Sequence, residues 1–324
     1  MSTENPRLLV IGAGVNGSVV AAGLQRAGSN VTLLARGERC QALRSEGIVI
    51  EDPFKHTRQV TRVPLIECLS PDDAYDFVLV VVRKNQVADL LPVLAANPSP
   101  NIVFMGNNLA GPADMVQALG QARVLLGSVY AAGRREGDLI RAMVIKSVAT
   151  PFGEVGGTIT LRLARLAGIL RQAGFKVRLS TQIVDIQMTH AAGVAVIGPL
   201  ALKHGSDTYA LARATDDLRL FVAARRETHA VLRALGHRVV PWSEAALARV
   251  PGFLQVAGLR TLLNSKLGEV GLGWHCSQAP DEICQLALEL SALVEQAGLR
   301  VPAIREILDT TKAAGAAMSI AHSA

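Results

Sequence analysis

Read from the amino terminus, the chain alternates short apolar runs with longer stretches whose apolar residues recur every three or four positions. Residues 7–12 (RLLVIG) have the texture of a buried strand, SVVAAGLQRAG has helical spacing, and NVTLLAR resumes as a second strand, so the opening predicts one strand–helix–strand unit. Further on, DFVLVVVR and NIVFMGN read as strands separated by the helical NQVADLLPVLAAN, the pattern of a parallel sheet covered by helices. RVLLGSVYAAGRREGDLIRAMV and ATPFGEVG add strands, TLRLARLAGILRQAG a helix and KVRLS a last strand. From residue 183 the texture changes: IVDIQMTHAAGVAVIGPLALKHG, DDLRLFVAARRETHAVLRALG, GLRTLLNSKLG and DEICQLALELSALVEQAG all carry helical periodicity. The expectation is an α/β chain of two domains, a doubly wound parallel sheet over residues 1–182 and an all-helical domain over 183–324.

Composition leaves this picture in place. At 324 residues and 50% hydrophobic, the chain is long enough for two packed cores. The longest purely apolar run, FVLVVV, is short, and MSTENPRLL lacks the order of a signal peptide, so neither export nor membrane spanning is indicated and a cytoplasmic location is expected. Cys40, Cys68, Cys276 and Cys284 form no C-x-x-C pair, and His275, Cys276 and Cys284 lack a fourth ligand at tetrahedral spacing, so packing cysteines and no metal are expected. The net charge of +6 raises nucleic acid as a partner, but the basic residues are scattered among acids and only 4% of the chain is aromatic. A basic cleft for a small anionic molecule fits that distribution better.

The break after the first strand is GAGVNG, a G-x-G-x-x-G between a strand and a helix, which is the dinucleotide-binding arrangement of a Rossmann-type domain. Gly12 permits the tight turn, Gly14 lets backbone approach a pyrophosphate, and Gly17 lets the helix pack close to the sheet; Val15 and Asn16 offer backbone N–H groups at the helix start. Where a carboxylate would bind the adenosine ribose in an NAD site, this chain has TLLARGER. Arg36, with Arg39 close in sequence, places a cation there, and the expected cofactor is NADP(H); the alternative is that Arg36 is a solvated loop residue.

GAGVNG, VTLLARG, VLVVVRKNQV, FMGNNLAGPADMV, AAGRREGDLIR and the helical close DEICQLALELSALVEQAGLRVP together resemble the ketopantoate reductases (2-dehydropantoate 2-reductases), in order and through most of the chain. The resemblance implies hydride transfer from NADPH to the carbonyl of a 2-keto acid, and a homodimer. It implies that Asn107 sits near the nicotinamide, that Arg83 and Lys84 lie on the cofactor side, and that Glu282 binds the substrate hydroxyl with Ser265 as the serine equivalent, although the stretch between these two is longer than the pattern.

The resemblance also exposes a departure. The position of the family's proton-donating lysine is occupied by His190, and two asparagines of the same helix become Val194 and Gly198. His190 is either a replacement general acid, since imidazolium titrates near neutrality, or a packed or surface histidine. With Val194 and Gly198 the pocket is expected to be more apolar and roomier. The expected function is an NADPH-dependent reductase of a small carbonyl compound, a 2-keto acid or ketone, with His190, Glu282 and Asn107 as the catalytic candidates. A sensor of NADP(H) without turnover, and an opine- or imine-forming dehydrogenase, are the alternatives.

Overall fold

The structure, a computed structural model, describes residues 5–129, 131–145 and 148–310. It divides into two compact units: the chain up to Gly106 together with Pro112–Val184, and Asn107–Gly111 together with the chain from Asp185 on.

The first unit opens with β1 (Arg7–Ile11), α1 (Val15–Arg26) and β2 (Asn30–Leu34), followed by α2 (Gly37–Glu46), β3 (Ile48–Glu51), β4 (Arg58–Thr61) and β5 (Leu65–Ile66). Then come β6 (Phe77–Val80), α3 (Val87–Ala96), β7 (Ile102–Phe104), α4 (Ala113–Leu119), β8 (Val124–Gly127), β9 (Ala131–Glu136), β10 (Leu139–Val144), β11 (Thr150–Glu154), α5 (Leu161–Gln172) and β12 (Val177–Leu179). The main sheet has the order β12-β11-β8-β7-β6-β1-β2-β5. Every pairing in it is parallel except β11 against β8, so β11 and β12 run opposite to the rest. Its central strands are buried on both faces, which is why they read as continuous apolar runs: Leu8 and Val10 enter one core cluster, Leu9 and Ile11 the other.

A second sheet, β4-β3-β10-β9, has no counterpart among the expected elements on the β3–β4 side. β4 (RQVT) is exposed at its first three residues, so burial imposes no alternation that the sequence could carry. Of the strands read in RVLLGSVYAAGRREGDLIRAMV, β8 joins the main sheet, whereas β9 and β10 form an antiparallel hairpin of this small sheet. Helix α1 packs against β1 and β2 of one sheet and against β9 and β10 of the other, and it is buried along most of its length.

The second unit takes up α6 (Ile183–Lys203), then α7 (Thr208–Arg213), α8 (Thr215–Ala234), α9 (Trp242–Leu247), α10 (Gly252–Leu263), α11 (Lys266–Gly268), a π-helical turn over Glu269–Gly273, α12 (Trp274–Gln278) and α13 (Pro280–Ala297). Residues 302–310 are again helical. By length and composition α6 could cross a membrane, but 67% of its apolar window is buried in the fold, as in the core helix of a globular unit.

Candidate functional site

At the end of β1 the chain turns at Gly12, whose φ of +111° is a conformation that side-chain-bearing residues rarely adopt. A Cβ on Gly12 would collide with the carbonyl oxygen of Val81, and one on Gly17 with the carbonyl oxygen of Gly12. Two glycines are therefore fixed by backbone crowding. Gly14 differs: nothing lies within 4 Å of where its Cβ would stand. It is the N-cap of α1, where no side chain caps the helix and the first turn holds no acid. An uncapped helix N-terminus behind an open glycine turn offers N–H groups and the positive end of the helix dipole to an anion. The residues present thus fit a dinucleotide pyrophosphate, with Val15 and Asn16 forming the start of the helix.

Arg36 follows β2 as the exposed N-cap residue of α2. Arg39, in the first turn of α2, is more deeply engaged. Its Nε donates to the Ala13 carbonyl of the glycine turn at 3.3 Å, and its Nη1 to a carboxylate oxygen of Asp138 at 3.2 Å. Its Nη2 is buried and finds no hydrogen-bond partner among the described residues. Burial, and then the like charge of Arg135, lower the pKa of this guanidinium from its ordinary value. Arg83 and Lys84 follow β6, half-buried, at the start of a short 3-10 turn in which the Arg83 N–H donates to Gln86 at 3.3 Å.

Asn107 belongs with the second unit. The loop Asn107–Gly111 is tied to α13: the Ala110 N–H donates to Glu289 Oε2 at 3.0 Å, and Gln285 donates to Glu289 Oε1 at 3.3 Å. Glu289 stands two helical turns after Glu282 on the same buried face, so one stripe of α13 carries both carboxylates. Glu289 was not singled out from the sequence, although an acid on the apolar face of an amphipathic helix is a signal that could have found it.

Glu282 is 4% exposed, and its Oε2 lies 3.6 Å from Nε2 of His275 on α12. His275 lies within α12, and the fold brings it beside Glu282. His190 is on α6, close enough to His275 to feel its charge. The His190 side chain keeps solvent contact, yet the density of surrounding protein first, and His275 second, lower its pKa from the usual 6.5. His190, His275 and Glu282 therefore form one cluster, drawn from α6, α12 and α13. Among the described residues, no group of three His, Cys, Asp or Glu side chains is arranged to hold a metal ion.

Two expectations change. The room expected at Gly198 does not exist, because its Cβ would stand 2.6 Å from Cδ1 of Ile283, which already fills that space. Ser265 is the N-cap of α11, accepting from the Gly268 N–H at 3.2 Å while its hydroxyl donates to the Leu262 carbonyl at 2.5 Å. The extra length between Ser265 and Glu282 includes the π-helical turn Glu269–Gly273, the usual way a helical region absorbs an inserted residue.

The comparisons bear on what this arrangement serves. Residues 8–157 match the profile of the family described as ketopantoate reductase PanE/ApbA. That segment is similar to the ketopantoate reductase family. A 2-dehydropantoate 2-reductase of Archaeoglobus fulgidus is 25% identical over 194 residues, which make up 60% of this chain and 63% of that relative, under two thirds of its length. Among solved structures, a 2-dehydropantoate 2-reductase from Geobacter metallireducens GS-15 superposes with a TM-score of 0.77 at 17% identity, covering 95% of this chain and 99% of that one. D-Mandelate dehydrogenase, solved with NADH and anilino(oxo)acetate, gives a TM-score of 0.75 at 14% identity, covering 94% and 97%. Ketopantoate reductases thus share this fold along nearly the whole chain, the helical unit included.

Proposed function

We propose that this protein is an NADPH-dependent reductase of a small carbonyl compound, a 2-keto acid in the first instance. The observation that carries the reading is the open, uncapped N-terminus of α1 behind the glycine turn, within the segment that matches the ketopantoate reductase profile. The cofactor, when bound, supplies hydride to the carbonyl carbon, the difficult part of the chemistry. Gly12, Gly14, Val15, Asn16 and Gly17 would hold its pyrophosphate. Arg36, with the unsatisfied Nη2 of Arg39 and the nearby Arg135, supports a monoester phosphate on the adenosine ribose, hence NADP(H) over NAD(H). Arg83, Lys84 and Asn107 complete the proposed cofactor contacts. Glu282 would bind the substrate hydroxyl; for Ser265, whose hydroxyl is engaged in its helix cap, the substrate role rests on the family pattern alone. His190 takes the position of the family's lysine. A homodimer and a cytoplasmic location belong to the same reading, supported by the family.

The test is NADPH oxidation by purified protein against a panel of 2-dehydropantoate, benzoylformate, short aliphatic 2-keto acids and simple ketones, with and without added amine. Turnover with a keto acid alone is expected. Tight NADPH binding without turnover would favour a sensor, and turnover only with amine present an imine-forming dehydrogenase.

A further inference from the structure

Resting on the reductase reading, we infer that His275, and not the histidine at the lysine position, is the proton donor of the reduction, held in place by Glu282. The geometry is local to the helical unit. The side chain of His275 on α12 is 35% exposed, whereas that of Glu282 is only 6% exposed, so the pair joins a solvated imidazole to a nearly dry carboxyl group. Their separation of 3.6 Å is an ion-pair distance and too long for a good hydrogen bond. The acidic N–H therefore remains available to a third atom, and a substrate oxygen lying against both groups would receive the proton from His275 and, once it is a hydroxyl, donate to Glu282.

The groups around the pair agree with this assignment. Cys276, adjacent on α12, is buried; burial and the charge of Glu282 push its thiol up to about 12, so it stays uncharged. Cys284 on α13 is raised by burial and by Asp281, and it too stays a thiol. Asp281 is solvent-exposed beside Glu282. His190 on α6 lies close enough to His275 for a charge on one to disfavour a charge on the other, and burial disfavours the proton of His190 further. Of the two histidines, His275 is the one placed beside a carboxylate, 3.6 Å from Glu282.

The step balances. As hydride joins the carbonyl carbon, the C=O π pair passes to oxygen, the Nε2–H bond of His275 breaks, and its proton forms the new O–H bond. The neutral imidazole regains a proton from water, to which its exposure gives access, and the cofactor leaves oxidised.

The experiment compares wild-type protein with His275→Gln, His190→Gln and Glu282→Gln, using the fastest 2-keto acid of the panel. His275→Gln is expected to lower kcat about 100-fold or more, the usual contribution of a positioned acid, with NADPH affinity by fluorescence titration unchanged; His190→Gln is expected to lose less than about 10-fold on the same scale. The alkaline limb of the kcat–pH profile should vanish in His275→Gln and move to lower pH in Glu282→Gln. A readout free of turnover is imidazole NMR of the protein without substrate: the titration of His190 should move to higher pH in His275→Gln. Retention of kcat and of the alkaline limb in His275→Gln, or an unmoved His190 titration, would overturn the assignment. Wild-type protein that reduces nothing in the panel would instead overturn the reductase reading beneath it.

Discussion

The Cβ that Gly198 lacks would stand 2.6 Å from Cδ1 and 2.8 Å from Cγ2 of Ile283. Helices α6 and α13 meet there with the backbone of one against a side chain of the other. Gly198→Ala is expected to destabilise the protein by up to about 2 kcal/mol in urea denaturation, because overpacking (about 1–3 kcal/mol) exceeds the roughly 1 kcal/mol gained from helix propensity. In an Ile283→Ala background the same change should become neutral or stabilising. An identical cost in both backgrounds would mean that the two positions do not touch.

The crowding at the glycine turn predicts a functional loss. A side chain at Gly17 meets the Gly12 carbonyl, which is backbone and cannot rotate away. Gly17→Ala should shift the turn and weaken NADPH binding by at least about 10-fold, the equivalent of 1.4 kcal/mol. Gly14→Ala, where the space is open, should leave the folded turn intact and reduce binding only by obstructing the ligand. Thermal melting with and without NADPH separates the two effects: Gly17→Ala lowers the melting point of the free protein, and Gly14→Ala lowers only the shift that NADPH produces.

The charge at Arg36 predicts a preference. Arg36→Glu should weaken NADPH far more than NADH, because the introduced carboxylate repels a phosphate monoester but can accept hydrogen bonds from ribose hydroxyls. Equal losses for both coenzymes, measured by calorimetry, would show that the phosphate is not read at this position.

His229 on α8 predicts a pH dependence of stability. It is 2% exposed, and burial, then Arg225 and Arg233, lower its pKa to about 4. Glu244 Oε2 lies 3.9 Å from its Nε2, too far for a hydrogen bond that would offset this. Because the unfolded chain takes up the proton first, the stability contribution is complete above pH 6.5 and is lost as pH falls from there towards 4, by on the order of 3 kcal/mol. His229→Gln should flatten that part of the stability–pH curve in denaturant titrations; an unchanged slope would place the loss elsewhere.

The sequence made the dinucleotide turn legible because each of its parts is local: a buried strand, glycines at fixed spacing, and a helix within one short unit. The place of Arg36 just past the second strand was legible for the same reason. The small sheet was not, since β4 is exposed at its first three residues and β3 pairs with a hairpin strand far along the chain. Nor was the role of Glu289, whose partner is the Ala110 N–H in a loop distant in sequence.

What the chain determined by itself is the order of its elements and the glycine turn, both set by residue identity and periodicity. Only the tertiary structure decided that His275 joins Glu282 and His190, that Ile283 fills the space beside Gly198, and that the Asn107 loop is held by α13. The reason is physical: periodicity records which face of a helix is buried, whereas the meeting of two faces depends on helix packing, and no residue encodes the identity of its distant neighbour.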